Sequence, residues 1–405
     1  MSLKCVNLES SLRIATDGTF HPCCVAKQSQ FRDESGRLMN IQTHTFEEAF
    51  MSPTLQELRK AFEEGKKHPI CEICWKEEEI GEKSKRIRDN LKVDGNNEVN
   101  KPYLLEINLG NICNLACRMC NLGASVNWKT EHNLARSIEY PNSKPLNKHD
   151  LDYEANKYSA PFRDESAIWQ EIRDNLKYVK FLDLYGGEPM LMKKQWDILK
   201  KSIEDGHAQF QSVHFNTNGT LFKQEYVEIL KQFQHADISF SIDGTDKGFD
   251  YVRYPAKWPK TEATMEKWLE ATKEYNNFEF SICFTHQIFN ILDFKSISHW
   301  SEAHNIRIYK NPLFYPKYFD SSIIPEEAKV KIEKIIDNME MSDKTRKEYS
   351  TLINHMKSYK HNPKEFKNFF KINVELDKRR NQSFENTYPE LHSILFSSYN
   401  ESVLI

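Results

Sequence analysis

Between Leu104 and Cys120 the chain reads LLEINLGNICNLACRMC: a short apolar run, polar residues and Gly110, then Cys113, Cys117 and Cys120 inside eight residues. Three thiolates on one loop limit what can be built around them. They fall one ligand short of a tetrahedral zinc site. They suit a [4Fe–4S] cube in which three irons are held by cysteine and the fourth is left open. The next strand expected in the sequence, Val179–Tyr185, runs straight into Gly186-Gly187-Glu188-Pro189. A second unusual loop thus follows a second strand, again at its carboxyl end.

Strands and helices alternate around this pair, from Tyr103 to Asn311. Strand candidates are 104–109, 179–185, 211–217, 237–243, 278–285 and 305–310, with amphipathic stretches between them. Such alternation argues for a parallel sheet with helices outside. Parallel strands covered on both faces should read as continuous apolar runs. These do not. Ile238, Phe240 and Ile242 oppose Ser239, Ser241 and Asp243; Phe278, Phe280, Ile282 and Phe284 oppose Glu279, Ser281, Cys283 and Thr285. Val213 and Phe215 likewise oppose His214, Asn216 and Asn218, and Leu105, Ile107 and Leu109 oppose Glu106 and Asn108. The apolar set must meet the helices, so the polar set faces inward, where unpartnered polar groups are costly. The interior is expected to be a wet or ligand-filled cavity.

Residues 1–98 carry a second cysteine set. Leu12–Ile14 and Thr19–His21 flank Asp17-Gly18, a hairpin signal that delivers Cys23 and Cys24. Thr45 with Glu48 forms a capping box, and Ser52-Pro53 opens a helix carrying Leu55, Leu58 and Phe62 up to Gly65. Cys71 and Cys74 follow. Cys5, Cys23, Cys71 and Cys74 supply four thiolates, enough to saturate a metal centre, and zinc fits them as well as an iron–sulfur cluster. Cys24 is a spare, buried thiol. A charged helix then leads to Asp94-Gly95-Asn96-Asn97, the expected domain boundary.

The connection from Asn121 to Ile168 is long for a compact domain and is expected to cover or shape an entrance. Beyond about residue 320 the chain reads as helical. Ala328, Ile332, Ile335, Ile336 and Met339 make one apolar face, and Phe366, Phe369, Phe370 and Val374 another. The boundaries expected are 1–98, 99–320 and 321–405. Basic runs at Lys83–Arg86 and Lys378–Arg380 read as solvated helix faces.

Nine cysteines in a chain with no apolar stretch near eighteen residues and no leader at Met1 point to a soluble cytoplasmic protein that uses them for metal. With 56 basic and 59 acidic residues the net charge is −3, so neither a membrane nor a nucleic-acid partner is expected.

The C-x3-C-x2-C loop followed by Gly-Gly-Glu-Pro resembles the signature of the radical SAM superfamily. That resemblance implies an α/β fold, a partial (β/α)6 TIM-like barrel, with S-adenosylmethionine chelated by the open iron. It places the methionine end of the cofactor at Gly186, Gly187, Glu188 and Pro189, with Glu188 as an acceptor for the amino group. Met119 takes a position where the family often has an aromatic near the adenine. Asn216, Asn218, Ser241 and Asp243, at strand ends, are placed for the ribose or carboxylate, and Arg253 is a partner for the carboxylate or for a surface acid.

The N-terminal cysteine set, with Asp17-Gly18 ahead of Pro22-Cys23-Cys24, resembles the SPASM/twitch auxiliary-cluster module. That module usually follows the barrel; here it precedes it as a small α+β unit, so chain order does not say where it docks. A second, fully ligated [4Fe–4S] cluster would have no open iron for substrate and would accept an electron. The implied reaction is hydrogen abstraction from carbon by a 5′-deoxyadenosyl radical, with net oxidation of a peptide or protein. A low-potential donor such as flavodoxin or ferredoxin would reduce the first cluster. Alternatives are dehydrogenation of a small sugar-like alcohol or nucleoside, and redox-neutral peptide epimerisation with Cys283 returning a hydrogen atom. An idle iron–sulfur binding or sensing protein is the non-enzymatic alternative.

Overall fold

The computed structural model describes residues 3–403 apart from 27, 94–97, 109 and 159–166. The Asp94–Asn97 loop, Leu109 and part of the long connection therefore lie outside the described residues. Eight strands make one sheet: β1 (Ser11–Ile14), β2 (Phe20–His21), β3 (Leu104–Asn108), β4 (Phe181–Tyr185), β5 (Ser212–Thr217), β6 (His235–Ser241), β7 (Phe278–His286) and β8 (Arg307–Pro312). Their order is β2-β1-β3-β4-β5-β6-β7-β8, and every pairing from β1 to β8 is parallel. Helices Ala167–Asn175, Lys193–Glu204, Gln224–Leu230, Trp258–Thr272 and Phe294–Ala303 lie between successive strands from β3 onward.

The alternation on the strands sets which side meets the helices. Val213 and Phe215 on β5 and Ile238 and Phe240 on β6 are fully buried. Trp196, on the helix after β4, meets Phe215 edge-on at 6.3 Å. Each such side chain contributes about 1.5–3 kcal/mol by leaving water. The opposite face carries the polar residues in register. Glu106 stands opposite Asp183, Asp183 opposite His214, His214 opposite Asp237, and Asp237 opposite Glu279. Two residues further along the strands come Asn108, Tyr185, Asn216, Ser239 and Ser281. Ser241 and Cys283 pair above them.

The N-terminal segment docks by extending this sheet. β1 runs parallel to β3 with Arg13 opposite Glu106, and β2 closes its hairpin on the outer edge. The Thr45–Glu48 capping box forms at helix Phe46–Phe50, and Ser52 caps helix Pro53–Glu63 with Pro53 in its first turn. Helix Lys85–Asn90 then packs across the inward face of the sheet. Lys85 Nζ lies 2.5 Å from Glu106, 2.9 Å from Asp89 and 3.7 Å from Asp183. Arg88 donates to the Tyr309 hydroxyl on β8 at 2.9 Å and sits over its ring. The helix thus bridges β3 and β4 to β8, the strand at the far end of the sheet.

One expectation changes here. The Lys83–Arg86 run is not a solvated face, because Lys85 is only 6% exposed and neutralises carboxylates that the strands present inward. On the inward face, Lys85 thus pairs with Asp89, Glu106 and Asp183.

The C-terminal region is helical as expected: Glu326–Asn338, Asp343–Lys357, Pro363–Arg380 and Pro389–Val403. Ala328, Ile332 and Ile336 are buried, as are Phe366, Phe369 and Phe370. Val374 is 61% exposed, and Ile372 and Leu376 take the inward face instead. Phe369 meets Phe289 of the barrel at 5.4 Å. In the second basic run Arg380 is buried against Glu131, contrary to a fully solvated reading. Among the described residues no helix is long and apolar enough to cross a membrane.

Candidate functional site

The loop after β3 is tied down by its own backbone. Ala116 N–H donates to Tyr254 O at 2.8 Å and Arg118 N–H to Val252 O at 2.9 Å. On the other side, Gly187 N–H donates to Gly110 O at 2.9 Å and Glu188 N–H to Ile112 O at 2.8 Å. A β-carbon on Gly187 would lie 2.3 Å from Ile112 O, so only glycine permits this approach. Gly186 sits at φ +155°, also a glycine conformation. The two loops singled out in the sequence are therefore one structure.

The start of the long connection wraps the same loop. Asn127 Nδ2 donates to Cys113 O at 2.9 Å, Trp128 Nε1 to Cys117 O at 2.8 Å, and Ser125 Oγ to Leu115 O at 2.5 Å. Asn111 Nδ2 reaches Leu122 O and Ala155 O.

Within this frame Cys113, Cys117 and Cys120 all sit on one loop, with protein donors aimed at two of the sulfurs. Leu115 N–H points at Cys113 Sγ at 3.4 Å and Asn218 Nδ2 at 3.9 Å. Arg253 Nη1 approaches Cys117 Sγ at 3.9 Å. Burial pushes the Cys113 and Cys120 thiols up to about 12; it raises Cys117 too, against the pull of Arg253. Metal binding must therefore displace protons here.

Glu188 is fully buried and already engaged. Its Oε1 accepts from Met190 N–H at 3.0 Å and Thr217 Oγ1 at 2.8 Å, and its Oε2 from Asn218 N–H at 2.8 Å. Burial raises its pKa and these donors oppose the rise. The carboxylate thus clamps the end of β5 to the glycine turn, and Pro189 opens a short 3-10 turn after it. Asn218 also donates to Asn114 Oδ1 at 2.8 Å.

Asp243 and Arg253 form a buried pair at 2.6 Å, which rules out the surface alternative for Arg253. Asp243 Oδ1 also accepts from Thr285 N–H at 2.7 Å. Burial raises the Asp243 carboxyl, and Arg253 only partly offsets it. Asn216 and Ser241 are half-buried on the inward face of their strands, and Met119 is half-buried beside the apolar core. Cys283 is buried, its thiol pushed up to about 12 by burial and by Asp243.

Cys5, Cys23, Cys71 and Cys74, from three separate stretches, line a single cavity with Pro22, Arg86 and apolar neighbours. Burial pushes Cys5 and Cys71 up to about 12, with neighbouring cysteines adding to the rise. Cys24 does not line this cavity; burial pushes its thiol up to about 12, with the Glu106 charge adding to the rise.

Sequence reasoning placed Thr285 on the inward face without a role, and missed Lys85, Thr217 and Arg118. Only Arg118 carried a signal, its place between two of the cysteines.

No curated protein matches. Among solved structures, anSMEcpe with bound AdoMet and Cp18Cys peptide is 14% identical over 56% of this chain and 57% of that one, with a TM-score of 0.34. Streptococcus suis SuiB bound to S-adenosylmethionine is 14% identical over 66% of this chain and 59% of that one, with a TM-score of 0.36. The chain thus spans less than two thirds of the length of either. Residues 5–75 match the SPASM iron–sulfur cluster-binding domain, and residues 107–293 match the radical SAM superfamily. Residues 107–293 thus carry a radical SAM domain, the kind that takes a [4Fe–4S] cluster and S-adenosylmethionine, preceded at residues 5–75 by a SPASM iron–sulfur cluster-binding domain.

Proposed function

We propose that Cys113, Cys117 and Cys120 hold the core cluster, that Cys5, Cys23, Cys71 and Cys74 hold an auxiliary [4Fe–4S] cluster, and that the enzyme oxidises a peptide or protein at carbon. The donor sets suit these groups: three thiols on one loop leave an iron open, and four thiols round a cavity saturate a cluster. When bound, the core cluster and cofactor would supply radical hydrogen abstraction from substrate carbon.

The chain's own part is aim, exclusion of water and a route for the second electron. The glycine turn and Asn218 position the cofactor's methionine end, and Asp243 with Arg253 fixes the far wall. The observation that carries the oxidative reading is the Cys23–Cys24 step. Cys23 lines the auxiliary cavity, and both it and Cys24 feel the charges of Glu106 and Lys85 on the inward face of the sheet. The auxiliary site lies within electrostatic reach of the sheet's inward face. A donor of the flavodoxin or ferredoxin class, in the reducing cytoplasm, would supply the first electron.

The test is a separation of activities. Reduced wild type given S-adenosylmethionine alone should slowly release 5′-deoxyadenosine. Cys71→Ala and Cys74→Ala should keep that release and lose product formation. Loss of both in a folded variant would instead make the auxiliary site a relay into the first cluster.

A further inference from the structure

We infer that the C-terminal helix Pro363–Arg380 is part of the scaffold of the core iron site, with Arg118 as the positioning residue through which it acts. The inference rests on the reading of Cys113, Cys117 and Cys120 as ligands. The helix itself lies outside both matched segments of the chain.

Arg118 sits between the second and third cysteines of the loop, and its side chain is completely buried. The guanidinium uses its donors in several directions. Its Nε donates to Tyr251 O at 3.1 Å, Nη1 to Asn373 Oδ1 at 2.5 Å, and Nη2 to Gln382 Oε1 at 3.0 Å and to the Asp377 carboxylate. Its Cζ lies 3.6 Å from the centre of the Tyr251 ring. Asn373 and Asp377 belong to the C-terminal helix, and Asn373 Oδ1 also accepts from the Tyr251 hydroxyl at 2.9 Å.

A second tie comes from the end of the same helix. Arg380 Nε donates to Glu131 Oε1 at 2.9 Å, and its guanidinium lies 5.5 Å from the centre of the Trp128 ring. Trp128 in turn donates to Cys117 O. The helix therefore reaches the cysteine loop twice, directly through the Arg118 side chain and indirectly through Trp128 and the Cys117 carbonyl.

A planar fork with a fixed set of donors is what such a clamp needs; lysine keeps the charge and loses the geometry. Partners that orient metal ligands without touching the metal typically change metal affinity by about 10–100-fold when removed. The site with Cys5, Cys23, Cys71 and Cys74 shares none of these contacts, so it serves as a control within the same molecule.

The experiment follows iron removal by a chelator from reconstituted wild type, Arg118→Lys and Asn373→Ala, with electron paramagnetic resonance of the reduced core cluster before and after S-adenosylmethionine. The core half of the iron should leave about tenfold faster or more in both variants. The auxiliary half should keep its rate, and the response of the core signal to S-adenosylmethionine should weaken. Unchanged rates and an unchanged signal in both variants would overturn the clamp. Equal loss of both halves would also count against it, since the helix would then hold the whole fold and not this loop. A Cys113/Cys117/Cys120→Ala variant is run alongside. If it keeps both halves of its iron, the ligand reading has failed, a result distinct from failure of the clamp.

Discussion

Gly187 donates its main-chain N–H to Gly110 O at 2.9 Å, joining the glycine turn after β4 to the cysteine loop after β3. A methyl group at Gly187 would strike the Ile112 carbonyl oxygen, a backbone atom that cannot step aside. Gly187→Ala should therefore push the turn off the loop without removing any ligand. Displacements on the order of 1 Å cost roughly a hundredfold in rate. Release of 5′-deoxyadenosine should fall on that scale while iron content holds, and a variant with wild-type release would show that the turn does not aim the cofactor.

Lys85 is the one cation touching both Glu106 and Asp183 in the contacts found among the described residues. Removing one partner of a buried ion pair costs about 3–5 kcal/mol, because the remaining charges stay buried and unpaired. Lys85→Met should lower unfolding stability by that amount in urea titrations. A change below about 1 kcal/mol, the scale of an exposed pair, would contradict the buried network.

Asp89 gives the same network a pH signature. Burial alone would raise its carboxyl, but Lys85 and Lys92 outweigh burial and hold it down to about 2, against an ordinary 3.8. As pH falls the unfolded chain takes up the proton first, so acid favours unfolding. The contribution, about 2 kcal/mol, is present above pH 4 and disappears toward pH 2. Asp89→Asn should flatten that limb of the stability profile; an unaltered limb would place the acid sensitivity elsewhere.

Cys283 pairs with Ser241 on the inward face, so its thiol is in reach of the interior. The oxidative reading gives it a packing role. Cys283→Ala should leave product unchanged, and turnover in deuterium oxide should put no solvent deuterium on product carbon. Deuterium at that carbon in wild type, lost together with turnover in the variant, would favour a redox-neutral reaction.

Much of this was legible in the sequence because period-two alternation is local. The inward positions of Glu106, Asn216, Ser239 and Cys283 follow from their neighbours alone. The cysteine spacing and Gly186–Pro189 were equally local. What was hidden depends on contacts far apart in the chain. Lys85 and Arg380 look like any solvated lysine or arginine until Glu106 and Glu131 are brought to them. Nor does a hairpin at Asp17-Gly18 announce that its first strand will run parallel to β3. Val374 failed for a related reason: a helix gripped on two sides buries Asn373 and turns an apolar neighbour outward.

The central claim is that two separate thiol sets hold two iron–sulfur clusters, and metal analysis tests it most directly. Anaerobically reconstituted protein should hold about eight irons per chain, four per cubane. Cys113/Cys117/Cys120→Ala should keep about half of that iron and release no 5′-deoxyadenosine. One zinc per chain beside about four irons would contradict the account, leaving Cys5, Cys23, Cys71 and Cys74 as a structural zinc site with no part in electron transfer.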